Sequence, residues 1–425
     1  METIFALATA PGKAGVSVVR ISGPHAFSVG ETLCGTLPEP RQTSLRIIRD
    51  QSGMPIDQAV VVTFKHGHSF TGEDVVELHL HGSIAIQKAV LAELSTLPDT
   101  RLAEPGEFTR RALENGCLDL SQVEALSDLI EAETEAQRKQ AMRIMSGEMA
   151  DKVAVWRKDL IHAASLLEAT IDFADEEVPV DVTSDVRALV ESTSVSLEAQ
   201  ISGSYAAERI RDGYRVAIVG APNVGKSTLL NRLAGRDAAI TSEVAGTTRD
   251  VIEVSMDIAG LPVTLLDTAG IRETEDIVES LGIERAKQKA QDADLCVFLI
   301  GATELPPFEP RSDDIILKAK ADITGSGISG KTGEGVDLLI SKIADILSHR
   351  SLGVGAAINA RHRYAMQAAQ TALTDVCCQL ERGPDVYDLA AESLRQAIRN
   401  LSSLIGLVDV EHILDDVFAN FCLGK

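Results

Sequence analysis

Eight residues, Gly220-Ala-Pro-Asn-Val-Gly-Lys-Ser227, limit what this chain can fold into more than any others. They fit the pattern G-x-x-x-x-G-K-[ST]. The apolar run Arg215-Val-Ala-Ile-Val219 precedes them, and Leu229-Leu-Asn-Arg-Leu233 opens as a helix behind them. Strand, glycine-rich loop and helix in this order make a phosphate loop. The glycines let backbone N–H groups turn inward around a phosphate, and the helix N-terminus adds positive partial charge. Lys226 is expected to reach the β- and γ-phosphates, and Ser227 to ligate Mg²⁺. A parallel α/β sheet must carry such a loop, so this part of the chain reads as a Ras-like G domain.

The downstream motifs keep the expected order. Asp267-Thr-Ala-Gly270 follows the apolar run Val263-Thr-Leu-Leu266. Asp267 is placed to hold Mg²⁺ through water, and the Gly270 amide to bond the γ-phosphate. Gly246-Thr-Thr-Arg-Asp250 supplies a switch threonine, Thr248 first and Thr247 next. The expected nucleotide set is therefore Asn223, Val224, Gly225, Lys226, Ser227 and Thr228, then Ser242, Glu243, Val244, Ala245, Gly246, Thr247 and Thr248, then Asp267, Thr268, Ala269 and Gly270, and finally Asp322. Magnesium falls to Ser227 and Thr248. The guanine motif N-K-x-D is degraded to Ala319-Lys-Ala-Asp322, with Ser329-Gly-Lys331 in place of S-A-K. Asp322 can still accept from guanine N1 and N2, and Lys320 can lie over the base. GTP is expected over ATP, at reduced affinity.

Hydrolysis needs a group to orient water. Ile271 stands where Ras-like enzymes carry glutamine, and an aliphatic side chain cannot do this. Glu273, Glu275, Asp276 and Glu279 follow, and the residues alone leave the choice among them open. Asn223 offers an oxygen near the phosphates, and carbonyls of Ser242 to Gly246 could join it around a monovalent cation.

The chain has 425 residues and a net charge of −23. That charge excludes a general basic coat for nucleic acid; any RNA contact must use a local patch, a partner or a stack around one base. Six cysteines without CxxC spacing or a His cluster argue against a disulfide framework or zinc. The N-terminus lacks the layout of a secretion signal, and no run of 18 apolar residues occurs, so a cytoplasmic protein without a membrane span is expected. In residues 1–118 the run 16–21 alternates as a strand does, and 59–64 and 75–80 read as further strands. Helical spacing takes over from 119 to 212, as in Trp156, Leu160, Ala163 and Leu167. The α/β pattern covers 213–347, and helical periodicity returns over 348–425. The expected architecture is multidomain, α/β plus α+β plus all-α, with the G domain inserted in a helical bundle.

Longer matches identify a family. Thr3-Ile-Phe-Ala-Leu-Ala-Thr-Ala-Pro-Gly12, Val19-Arg-Ile-Ser-Gly-Pro24, Thr71-Gly-Glu-Asp-Val-Val-Glu-Leu78, Pro105-Gly-Glu-Phe-Thr-Arg-Arg111, Leu118-Asp-Leu-Ser-Gln-Val-Glu-Ala125, Asp267-Thr-Ala-Gly-Ile-Arg272 and the terminal Phe421-Cys-Leu-Gly-Lys425 resemble the MnmE (TrmE) family of bacterial tRNA uridine-modification GTPases. The resemblance spans essentially the whole chain. It implies an N-terminal tetrahydrofolate-binding and dimerisation domain over 1–118, a homodimer, and potassium-dependent pairing of G domains. It also implies a heterotetramer with MnmG, whose FAD belongs to that partner. Together they would add an aminomethyl or carboxymethylaminomethyl group to C5 of the tRNA wobble uridine. The carbon would come from a 5-formyl or 5,10-methylene tetrahydrofolate. By position, the family's potassium ligands fall on Asn223, Ser242, Val244 and Thr247, and its water-orienting carboxylate on Glu279, which with Lys226 makes the catalytic pair. Its folate contacts fall on Arg20, Glu77, Cys117 (lysine in well-known members) and Lys425. A regulatory GTPase whose N-terminal region only binds a partner is the alternative.

Other features carry plainer readings. His79 and His81 alternate on one strand face without a third ligand nearby in sequence. Arg110-Arg111 fits a helix-surface pair or a phosphate contact. Cys377-Cys378 fits a helix, and Cys422 either takes part in one-carbon chemistry or packs the terminus that places Lys425.

Overall fold

The computed structural model describes residues 2–172, 182–236, 238–240, 253–267, 288, 290–301, 304–408, 418 and 424. They form two compact units, 1–127 with 402–425, and 128–401.

In the first unit, β1 (Thr3–Leu7), β2 (Val16–Ser22), β3 (Thr43–Arg49), β4 (Pro55–Phe64), β5 (Val75–His81) and β6 (Thr100–Leu102) make a six-stranded sheet in the order β3-β4-β5-β2-β1-β6. All neighbours are antiparallel except β1 and β6. Period-two alternation divides the strands between two faces. Phe5, Val19, Ile21, Val76, Leu78 and Leu80 are buried with residues of α1 (Ala26–Cys34) and α2 (Ile84–Leu94). On the opposite side Ile4 and Ala6 pack with Phe108 of α3 (Glu107–Glu114). The β2–β5 register sets Arg20 opposite Glu77 on that side.

Helix α3 buries a charge. Arg111 donates to both carboxylate oxygens of Glu73 at 3.1 Å and to Glu107 at 2.9 Å, and it also reaches the Glu2 carbonyl at 3.0 Å. Ser22 Oγ donates to Glu73 at 2.6 Å. The expectation of a surface arginine pair therefore fails for Arg111. Its side chain is 7 % exposed because three acceptors converge on it, which is what a buried guanidinium requires. Its neighbour Arg110 instead lies over the Phe418 ring, 5.1 Å from the centroid.

Residues 402–425 group with this unit. Phe418 is buried, and Gly424 lies so close to β1 that a Cβ would stand 2.1 Å from the Leu7 carbonyl oxygen. Only glycine fits at such an approach.

The second unit combines helices with a second sheet. Helix α4 (Leu120–Glu131), which begins in the first unit and ends in the second, leads into α5 (Glu135–Met145), which starts at a capping box of Thr134 and Gln137. Helices α6 (Glu148–Asp172) and α7 (Thr183–Asp212) pack along each other, with Trp156, Leu160, Ala163 and Leu167 buried on one stripe of α6. After Gly213 come β7 (Tyr214–Gly220), α8 (Lys226–Ala234), β8 (Glu253–Ile258), β9 (Leu261–Asp267), β10 (Leu295–Ile300), β11 (Ile315–Lys318) and α9 (Val336–Arg350). The five-stranded sheet runs β11-β10-β7-β9-β8, parallel except for β8. Helix α10 (Ala360–Glu381) then packs on α7, and α11 (Tyr387–Ser402) follows. The N-cap of α10 is Asn359, which accepts from the His362 N–H at 2.9 Å. No helix among the described residues is long and apolar enough to cross a membrane.

Replacing Arg111 by alanine strands the buried Glu73 carboxylate, while Glu107 keeps its pair with Arg101. The expected cost is about 3 kcal/mol or more in the first unit. Amide exchange should accelerate across β2 and β5 while β7 and β10 stay unchanged.

Candidate functional site

Strand β7 lies at the centre of its sheet, paired in parallel with β9 and β10. Parallel pairing brings the carboxyl ends of these strands to one edge, where the loop after β7 meets the end of β9. Ligands bind at that edge in open α/β sheets. The loop turns through Asn223, at φ +60°, and enters α8 at Gly225, at φ +113°, where a side chain would be strained. Val224 is buried and anchors the loop to the sheet core.

Lys226 is buried. Its ammonium donates to the carbonyls of Gly220 at 2.7 Å and Ala221 at 3.0 Å, across the mouth of the loop. Burial pulls its pKa below the ordinary lysine value, and the Asp267 carboxylate offsets part of that shift. Ser227 Oγ donates to Asp267 Oδ2 at 2.9 Å, and Asp267 is buried at the tip of β9. A hydroxyl beside a fixed carboxylate is an oxygen donor set suited to a hard divalent cation such as Mg²⁺. Thr228 follows in the first turn of α8.

The base-side loop begins at Ala319, which is hydrogen-bonded to the Ile300 carbonyl and bridged to Ile328. Lys320 takes the left-handed conformation at φ +61°, turning the chain into the short helical piece Ala321–Thr324. Asp322 is exposed, and buried Ser329 donates to its Oδ1 at 2.8 Å. Sequence reasoning did not name Ser329 as the group that orients Asp322. The S-G-K segment was the available signal. Gly330 lies against the first turn of α8, close to the Leu229 amide, which ties this loop to the phosphate loop.

In the first unit the expected Arg20 and Glu77 are in contact, Nε to Oε1 at 2.9 Å, both mostly buried. The guanidinium also lies 5.4 Å from the Phe70 ring centroid and 5.6 Å from that of Phe108, within cation–π range. His79 stands 3.4 Å from the other Glu77 oxygen, and His81 pairs with Asp57 at 2.8 Å. Neither histidine belongs to a metal-ligating cluster; among the described residues there is none. Phe70 and Phe108 went unnamed in the sequence reading, although Phe108 sits inside one of its matched motifs. Cys117 is exposed. Burial pushes the thiols of Cys34 and Cys296 up to about 11, which leaves them unreactive near neutral pH. Ser242, Glu243, Val244, Ala245, Gly246, Thr247, Thr248, Thr268, Ala269, Gly270, Glu279, Cys422 and Lys425 lie outside the described residues.

Two family models match this chain. One, described as the MnmE helical domain, covers residues 120–422, and another, the GTP-binding protein TrmE N-terminus, covers 3–117. A tRNA modification GTPase MnmE of Roseobacter denitrificans is 59 % identical over 100 % of both chains. The chain belongs to the MnmE family. Proteins of the same name from Dinoroseobacter shibae and Paracoccus denitrificans are 56 % and 47 % identical, again over 100 % of both chains. As an MnmE-family member it is a GTP-binding hydrolase that acts in tRNA modification. Among solved structures, Era in complex with MgGDPNP and nucleotides 1506–1542 of 16S ribosomal RNA is 32 % identical over 31 % of this chain and 56 % of that one, with a TM-score of 0.24.

Asp322 is exposed and Ser329 fixes its Oδ1, so the carboxylate keeps capacity to accept from a ligand. Asp322→Asn replaces one carboxylate oxygen by an NH2 donor and removes the charge, and it should cost about tenfold or more in GTP affinity over ATP. Equal competition by ATP and GTP in the unaltered chain would remove Asp322 from the site.

Proposed function

We propose that this chain uses GTP hydrolysis to drive a tetrahydrofolate-dependent modification at C5 of the tRNA wobble uridine, together with MnmG. The observation that carries the reading is the Arg20–Glu77 pair framed by Phe70 and Phe108. A pterin presents a row of N–H donors that a carboxylate such as Glu77 accepts, and its plane stacks on aromatic rings. Arg20 suits the formyl or glutamate oxygens. Cys117 and the terminal Lys425 complete the proposed folate set, and Cys422 is the candidate thiol for one-carbon chemistry.

In the G domain, read as an insertion between α7 and α10 with the boundaries 213–347, Ser227 and Thr248 hold Mg²⁺ and Asp267 supports it. The metal supplies charge neutralisation on the β- and γ-phosphates when bound. Lys226 leaves its two carbonyl partners for phosphate oxygens. Asn223, Ser242, Val244 and Thr247 hold potassium, and Glu279 orients water in place of the aliphatic Ile271. Nucleotide-driven pairing of two G domains in a homodimer would then couple hydrolysis to the folate site. A cytoplasmic location fits this chemistry.

Two measurements test the reading. Glu77→Gln should weaken binding of 5-formyltetrahydrofolate by about tenfold or more, with GTP turnover intact. Nucleoside analysis of bulk tRNA should then show the wobble modification lost; full modification in that variant overturns the folate assignment. Separately, GTP hydrolysis should run far faster in potassium than in sodium, and equal rates would eliminate the cation site.

A further inference from the structure

A chain with net charge −23 has no overall field to hold RNA, yet its family acts on tRNA. Contact must therefore come from a local surface, a partner or a stack around one base. In the second unit, Tyr205 of α7 and Tyr364 of α10 are 59 % and 66 % exposed. Aromatic residues make up only 4 % of this chain, so two exposed tyrosines sharing one neighbour stand out from scattered surface hydrophobics. That neighbour is Arg363. Its guanidinium lies 4.8 Å from the Tyr205 ring centroid and 5.8 Å from that of Tyr364. The Glu208 carboxylate pairs with it, and the arginine side chain is only 13 % exposed. The cation is thus fixed, while the two rings beside it keep most of their surface in solvent.

The placement of charge is also costly for folding alone. Arg361 and Arg363 sit in the opening turns of α10, which has no acidic residue in its first turn. Positive charge there opposes the helix dipole. A stability argument would put carboxylates at this end instead.

We propose that Tyr205 and Tyr364, both packed on the fixed Arg363 cation, form a stacking platform for unpaired nucleobases of the tRNA. The proposal rests on the family's action on tRNA. Aromatic rings and guanidinium planes are the surfaces on which single-stranded bases stack, and this mode needs little net positive charge.

The test uses the full-length protein and an unmodified, fluorescently labelled tRNA transcript, followed by anisotropy. The double variant Tyr205→Ala/Tyr364→Ala should bind about ten- to a hundredfold more weakly. Tyr205→Phe/Tyr364→Phe keeps the rings and should stay within about twofold of the unaltered chain. GTP turnover without tRNA should be the same in all three, which reports intact folding. Unchanged tRNA affinity in the alanine variant overturns the proposal. So does loss of MnmG binding with tRNA affinity intact, which would make the patch a protein interface. If the unaltered chain binds no tRNA even at low salt, the tRNA reading fails along with the platform.

Discussion

The parallel pairing of β7 with β9 and β10 is what the nucleotide site depends on. It places three strand ends side by side, so that the loop from Gly220 and the carboxylate of Asp267 meet although they lie far apart in the chain. Buried Ile218, Val263, Leu265 and Val297 hold that register through the sheet core. A slip by one residue would turn Asp267 toward the other face and break the 2.9 Å contact with Ser227. The chemistry thus rests on apolar packing beneath it, while the polar groups above contribute aim more than stability.

The first unit solves a different problem. Its sheet covers α1 and α2 on one side with aliphatic side chains, and on the other it carries charges. These charges are arranged in pairs: Arg111 with Glu73 and Glu107, Arg101 with Glu107, Arg20 with Glu77. Each pair fixes the direction of side chains that would otherwise be free, and Phe108 rides on the same short helix as Arg111. The order of Arg20 between two rings therefore depends on ion pairs one layer away.

Much of this was legible from residues alone, and the exceptions have physical causes. Strands β2, β4 and β5 were expected, β2 from its alternation and β4 and β5 from their valine-rich runs. Strand β3 was not, because Leu45 and Ile47 are exposed on an edge strand and Ile47-Ile48 breaks the visible pattern. Strand β1 is a short apolar run that a helix could equally use. The phosphate loop was readable because its chemistry is local. Arg111–Glu73 was not, since the partners are 38 residues apart and meet only once α3 is laid on the sheet. The same holds for Ser329 with Asp322, where the hydroxyl matters only after two loops have turned. The Arg20–Glu77 contact follows from β2–β5 register, which spacing along the chain does not reveal, although the family likeness had named both residues.

Helix α7 is 30 residues long and passes through the single residue Gly213 into β7, the strand that bears the phosphate loop. At about 1.5 Å of rise per residue it measures about 45 Å. Such a shaft converts angle into distance: a tilt of about 5° at its junction with the strand carries its remote end through about 4 Å. The Gly260 carbonyl, bound by the Ala136 amide at 3.0 Å, braces the turn between β8 and β9 against α5 near that pivot. The length of the shaft and the stiffness of its brace together set how large a displacement any small tilt at the junction produces.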